Sequence, residues 1–228
     1  MKILALDTAT EACSVSLGIG DRSIDRYVEL ERGHAEQLLP MIDAVLAEGG
    51  IGLRSLDAIA FGRGPGGFTG VRLAASVAQG LGFGAGVGVV PVSDLAAVAQ
   101  RVIQMSPDAT RILVVNDARM REVYWARFSA DAGTLISDAE RVGPAADVLL
   151  PELAVAGLAW VAAGRGLAAW PALAERCREA GATVHADLLP RASEVLALAR
   201  PVVAAGKLLP PEAALPVYVR DRVAEPSA

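Results

Sequence analysis

Hydrophobic and polar positions at the start of the chain follow a strand pattern. Lys2 to Asp7 is an apolar run ending in an acid, and Ala12 to Leu17 alternates small or polar residues with Cys13, Val15 and Leu17. Gly18 and Gly20-Asp21 supply turn chemistry before a third run, about Ser23 to Leu30, so the chain is predicted to open with three strands that include an antiparallel hairpin. From His34 to Glu48 the period turns helical and carries two apolar stripes. Leu39, Ile42 and Leu46 mark one and Leu38, Met41 and Val45 the other, an arc wider than a simple surface helix needs. One stripe can face the chain's own sheet, which leaves the other needing cover. Gly49-Gly50 ends this helix, and Leu56 to Phe61 reads as the next strand.

The stretch from Phe61 to Leu73, Phe61-Gly62-Arg63-Gly64-Pro65-Gly66-Gly67-Phe68-Thr69-Gly70-Val71-Arg72-Leu73, joins that strand to an Ala-rich helix from Gly70 to Leu81. Glycine allows close backbone approach and positive φ, so such a loop can turn N–H groups towards an anion at the helix start. It lacks both the Lys-Ser/Thr of a Walker loop and an acid at the ribose-binding spacing. A phosphate cradle and a tight connection between helix and sheet are therefore both open. Along the helix Leu73, Val77 and Leu81 form a row assigned to the core. Ala74, Ala78 and Gly82 form a row of small residues against which another helix, of this chain or of a partner, can approach closely. Val87 to Val92 is a further strand, and Ser93-Asp94 caps a helix from Leu95 to about Gln104.

After Ser106-Pro107-Asp108, which reads as a boundary, the pattern starts again. Ile112-Leu113-Val114-Val115-Asn116-Asp117 mirrors Ile3-Leu4-Ala5-Leu6-Asp7, and Glu122, like Glu11, opens a second strand. Ala60-Phe61-Gly62-Arg63-Gly64 is matched by Ala162-Ala163-Gly164-Arg165-Gly166, in the same order and at a different offset. The chain thus reads as a divergent duplication, residues 1–106 and 107–228, with the second copy shorter. That copy is predicted to hold strands over Arg111 to Asp117, Glu122 to Ser129 and Ala159 to Ala163, a loop at Ala130 to Thr134 and a weak helix near Ala145. Helices follow at Leu167 to Ala180 and Ser193 to Ala205. Beyond Pro210-Pro211, Pro216-Val217-Tyr218-Val219-Arg220 suits a strand or a docked strap. No low-complexity linker separates the copies, so a tight interface between them is expected.

A β-β-β-α-β-α unit occurring twice is the architecture of the actin, Hsp70 and sugar-kinase superfamily, an α/β duplicated actin-like (ASKHA, ribonuclease H-like) fold with a cleft between its halves. That likeness would bring Asp7-Thr8-Ala9-Thr10 and Asp117-Ala118-Arg119 to a phosphate cleft, with Gly64, Gly66 and Thr69 of the glycine stretch beside them. Asp7 and Asp117 could face a metal or water there, or each could cap its own turn.

Composition narrows the chemistry. The chain is 53% hydrophobic with a mean hydropathy of +0.41, yet its longest apolar stretches, Gly80 to Val92 and Leu153 to Gly164, fall short of the roughly 20 residues a membrane span needs. No span and no leader are expected, and the protein is placed in the cytoplasm. A net charge of −5 argues against unaided nucleic-acid binding. Cys13 and Cys177 stand alone and read as inert thiols, and the two histidines, His34 and His185, lie in different halves without metal-ligand spacing, so no metal site is assigned. No serine has a nucleophile-elbow setting.

Several of these segments together resemble the bacterial TsaB (YeaZ) family: Ile3 to Thr10, Glu11-Ala12-Cys13-Ser14-Val15, His34-Ala35-Glu36 with Leu39-Pro40, Phe61 to Leu73, Asp117-Ala118-Arg119 with Glu122-Val123-Tyr124, and Pro216 to Arg220. Gly67 stands where Ser is common and Arg121 where Gly is common. The resemblance runs end to end and is closest in the first 125 residues. It implies two actin-like domains and a non-catalytic scaffold supporting the paralogue TsaD, with the ATPase TsaE joining, in threonylcarbamoyl transfer to the adenosine 3′ of the anticodon in tRNAs reading codons that start with A. The paralogue's H-x-x-x-H metal pair aligns with Asp94 and Val98 here, and valine cannot bind metal. The family's partner surface, used for the heterodimer or for a homodimer when the chain is alone, would fall on Leu38, Met41, Ile42 and Val45 of the first long helix and Ala74, Ala75, Ala78 and Gly82 of the second. No cofactor is expected to be required, with ATP or ADP and magnesium bound at most weakly, and tRNA is met only through the complex. The alternative is an ATPase or small-molecule kinase of the same superfamily.

Overall fold

The computed structural model describes residues 1–131, 134–151 and 160–219. The first half runs β1 (Lys2–Asp7), β2 (Ala12–Ile19), β3 (Arg22–Glu29), α1 (His34–Gly49), β4 (Ala58–Gly62), α2 (Phe68–Ala85), β5 (Val89–Val92) and α3 (Asp94–Met105). The second runs β6 (Arg111–Arg119), β7 (Glu122–Asp131), β8 (Thr134–Ser137), β9 (Arg141–Gly143), β10 (Trp160–Ala163), α4 (Gly166–Ala169), α5 (Pro171–Glu179), β11 (Ala182–His185) and α6 (Ala192–Ala204).

The duplication is explicit in the sheets. The first has the order β3-β2-β1-β4-β5, with β1 antiparallel to β2 and parallel to β4. The second has β11-β10-β6-β7-β8 with the same sense, β6 antiparallel to β7 and parallel to β10, and β9 also pairs with β7. This is the duplicated actin-like arrangement. The central strands are continuous apolar runs because both of their faces are covered.

Helix placement ties the halves together. On one face of the first sheet Leu4, Leu6, Val15 and Phe61 meet Leu38, Ile42 and Val45 of α1 and Ala74 and Ala78 of α2. The other face, Ile3, Ala5, Ala60 and Val90, is covered by Ala192, Val195, Leu196 and Ala199 of α6, from the far end of the chain. In return Leu95, Val98 and Val102 of α3 pack on Ile112, Val114 and Val161 of the second sheet. Each half lends its last helix to the other. The remaining face of the second sheet packs Leu113, Val115 and Trp160 against Leu167 of α4 and Leu173 and Cys177 of α5.

Several predicted bounds shift. The segment expected as one helix from Leu167 to Ala180 is two, broken before Pro171, which has no N–H to continue the ladder. The loop expected at Ala130 to Thr134 is instead strand through Asp131 and again from Thr134, with residues 132–133 outside the described set, as are Ala159 and Arg220. The weak helix near Ala145 is a single 3₁₀ turn, Ala145–Asp147. After α6 the chain returns along the first half as a docked strap. Leu209 and Val89 exchange backbone hydrogen bonds at the sheet edge, Ala214 is buried, and the Val217 N–H donates to the Arg63 carbonyl at 2.8 Å. Among the described residues no helix is long and apolar enough to cross a membrane.

Candidate functional site

A cleft of about 760 Å³ opens where the β1–β2 turn, the start of α2 and the β6–β7 turn converge. Thr8, Thr10, Gly66, Thr69, Asp117 and Arg119 line it. Asp7 and Gly64, expected beside them, do not. Ile3, Ala5 and Asp7 share one face of β1 because side chains alternate along a strand, so Asp7 follows its neighbours into the interior and is fully buried. Its Oδ1 accepts the Ala9 N–H at 2.9 Å, while Oδ2 turns under Gly62 towards Asp94. Gly64 is covered by the strap, whose Val217 carbonyl would lie 3.0 Å from any Cβ placed there. Asp117 caps its own turn, its Oδ1 accepting the Arg119 N–H at 2.9 Å.

Two of the cleft's three arginines reach across it. Arg119 Nη2 donates to Glu11 Oε1 and Arg165 Nη2 to Glu29 Oε2, each at 2.7 Å and each across the two halves. The Arg165 hydrogen bond, with a second from Tyr27, holds the Glu29 carboxyl below its usual range. His34, at the start of α1, hydrogen-bonds through Nε2 to the Thr10 carbonyl at 2.9 Å and pins the β1–β2 turn. A magnesium nucleotide needs a carboxylate facing the cleft and cations free for phosphate. Asp7 faces Asp94 instead, and Arg119 and Arg165 are held by glutamates, while Asp117, Glu31, Glu36 and Arg32 also line the cleft.

The glycine stretch serves close packing. The Gly67 N–H donates to the Ala9 carbonyl at 2.7 Å, and Thr8 Oγ1 donates to the Gly70 carbonyl at 2.7 Å. A Cβ on Gly66 or Gly70 would run into the Ala9 or Thr8 carbonyl oxygen. The β1–β2 turn therefore sits directly on the first turn of α2, which begins at Phe68, two residues earlier than expected. Arg63 leaves this stretch to form a forked pair with Glu140 of the second half, both bonds 3.1 Å, and Ser93 Oγ also donates to Glu140.

The outer surface of α1 and α2 corrects the expected partner residues. Leu38, Met41, Ile42 and Val45, with Ala74, Ala75, Ala78 and Gly82, are all buried in the chain itself. The small row lies on the sheet because alanine lets α2 sit close to β4, and Gly82 is capped by Pro211 of the strap. The row assigned to the core, Leu73, Val77 and Leu81, is only half-buried. What α1 and α2 present outward is Leu39 and Asp43 on one helix and Ser76, Gly80, Phe83 and Gly84 on the other. Among the described residues nothing lies within 4 Å of where a Cβ on Gly80 would stand. Sequence reasoning missed this second small row, Ser76, Gly80 and Gly84 at i, i+4, i+8, although glycine inside a helix was a visible signal. It also missed Glu11, Glu29 and Arg165, which only the tertiary fold brings together.

Comparison with known proteins agrees with this architecture. The family model described as TsaD, tRNA N6-adenosine threonylcarbamoyltransferase, matches residues 28–225. The tRNA threonylcarbamoyladenosine biosynthesis protein TsaB of Escherichia coli is 40% identical over 232 residues, spanning 98% of this chain and 96% of that protein. Two solved structures from Pseudomonas aeruginosa superpose closely. One is described as a protein with similarity to peptidase YeaZ (TM-score 0.86, 43% identity, 96% of this chain and 99% of that one). The other is YeaZ (TM-score 0.84, 42% identity, 95% and 99%). With the sheet order, the strap and the glycine stretch all in place, this chain belongs to the TsaB (YeaZ) family.

Proposed function

We propose that this chain works in tRNA threonylcarbamoyladenosine biosynthesis as a non-catalytic subunit that pairs with the catalytic paralogue TsaD through the outward faces of α1 and α2. The pathway follows from the name of the Escherichia coli relative. The pairing rests on one observation, the exposed row Ser76, Gly80 and Gly84 flanked by Leu39 and Phe83. A glycine inside an exposed helix costs about 1 kcal/mol relative to alanine, and among the described residues no contact requires it at Gly80. A close-packed helix from outside does. The same face serves a second copy of the chain when the paralogue is absent, TsaE joins the pair, and tRNA is met through the complex in the cytoplasm.

The cleft suits this reading. Its cross-cleft arginine and glutamate pairs join the halves where an actin-like kinase places nucleotide phosphates. Reconstitution of tRNA threonylcarbamoylation with and without the chain tests the role, and loss of product on omission is expected. Full activity without the chain, or rapid ATP hydrolysis by the chain alone, would replace the subunit reading with the ATPase or kinase one.

A further inference from the structure

Two carboxyl groups meet in the interior away from the cleft. Asp7 at the end of β1 and Asp94 at the start of α3 are both fully buried. Each uses one oxygen on a backbone N–H: Asp7 Oδ1 accepts from Ala9 at 2.9 Å, and Asp94 Oδ2 accepts from Gly64. The remaining oxygens, Asp7 Oδ2 and Asp94 Oδ1, have no donor among the described residues. Both crowd the same side of Gly62, each 2.5 Å from where a Cβ on that glycine would stand. Two buried carboxylates cannot both stay ionised side by side without a counter-charge.

We propose that Asp7 and Asp94 bind one proton between them, held on Asp94 Oδ1 and donated to Asp7 Oδ2. That single proton satisfies both orphaned oxygens at once. It also fastens three parts of the chain, the end of β1, the glycine stretch at Gly64 and the start of α3, whose own N–H donates back to the Gly64 carbonyl at 3.0 Å. A divalent cation is the poorer occupant because it wants six or more oxygen ligands, and no cluster of three or more acidic, histidine or cysteine side chains exists among the described residues.

The surroundings support the proton. Burial, then the charge of Asp7, pushes the Asp94 carboxyl well above the usual range. Arg63 is the cation that acts on it from the glycine stretch, and Glu140 holds that guanidinium. Cys13 of β2, on the other face of the sheet against Met41, is a neutral thiol, its pKa pushed up to about 11 by burial and then by the charge of Asp7. On α6 Glu194 answers to Ser193, Arg101 and Arg191, and on α2 Arg72 stacks on Phe68 and Tyr218. Because the folded state keeps a proton that the unfolded chain releases near pH 4, the joint stabilises fully below that pH and progressively less as pH rises through the folded value.

Thermal melts from about pH 5 to about pH 9 on the parent chain, Asp94→Asn, Asp7→Asn and the double variant test this. Asparagine at either position mimics the protonated acid, so each single variant is expected to fold, and Asp94→Asn to lose the parent's decline in Tm towards alkaline pH. The double variant sets two NH₂ groups face to face and is expected to lose more than the sum of the singles. In the parent, infrared spectroscopy should show a protonated carboxyl band that Asp94→Asn removes. Absence of that band in the parent, an unchanged pH slope in Asp94→Asn, or a parent Tm that falls with chelator and returns with magnesium would overturn the proposal.

Discussion

Arg165 Nη2 stands 2.7 Å from Glu29 Oε2, joining the second half to the edge strand of the first across the cleft. Its side chains are 35% and 45% exposed, whereas those of Arg63 and Glu140 are 23% and 14% exposed. Exposed pairs gain little in water and are screened by salt, while removing one partner of a shielded, forked pair leaves a charge uncompensated. Arg165→Ala should therefore cost under about 1 kcal/mol, with most of that gone in high salt. Glu140→Ala should cost about 1–3 kcal/mol and persist in salt. Denaturant midpoints at low and high salt decide it, and the reverse ranking would show that the exposed pairs hold the halves together.

The outward face of α2 offers a test in which stability and association move in opposite directions. Gly80→Ala should stabilise the isolated chain by about 0.8–1 kcal/mol and Gly80→Arg by somewhat less, since both residues favour helix and the position is open. Gly80→Arg should nevertheless abolish co-purification with TsaD. Retained pairing by a folded Gly80→Arg chain would remove this face from the interface. Met41→Asp or Ala78→Arg, in contrast, should fail to fold, because both side chains lie in the core.

At the glycine stretch the limit is steric. Gly70→Ala would drive a methyl into the Thr8 carbonyl and should cost about 1–3 kcal/mol, read as a lower Tm. Gly67→Ala, with 3.5 Å to the nearest atom and an extended backbone, should be close to neutral. Equal effects at the two positions would mean that the loop yields freely.

The β6–β7 turn holds three successive residues in the left-handed region, Arg119 at φ 59°, Met120 at 51° and Arg121 at 63°. Side chains there cost roughly 1–2 kcal/mol each relative to ordinary backbone. Arg121→Gly should raise stability by about 1 kcal/mol, and a drop in Tm would show that the Arg121 side chain contributes more than the strain removes.

The first half was largely legible in the sequence because its strands are continuous apolar runs punctuated by glycine, and β1 and α1 fall within a residue of their predicted bounds. The strands β8, β9 and β11 were not, since Thr134–Ser137, Arg141–Gly143 and Ala182–His185 are too short to display a period. In the structure the β1–β2 and β6–β7 turns line one cleft, without Asp7 or Gly64. The burial of Asp7 follows from alternation with Ile3 and Ala5, a signal present but unused. Two adjacent stripes on α1 and two rows on α2 mark two faces on these helices, one of which packs on the sheet. Periodicity alone does not say which face meets the sheet, because an alanine row packs on a β-strand as readily as on another helix.

The exchange of α3 and α6 sets an order for synthesis. The first sheet leaves the ribosome with Ile3, Ala5, Ala60 and Val90 bare on one side, and the segment that covers them, Ala192–Ala204, emerges only after both sheets. Cooperative folding of the first half must wait for the second, so nascent chains cut near residue 106 should be held by chaperones or aggregate rather than fold as a separate unit.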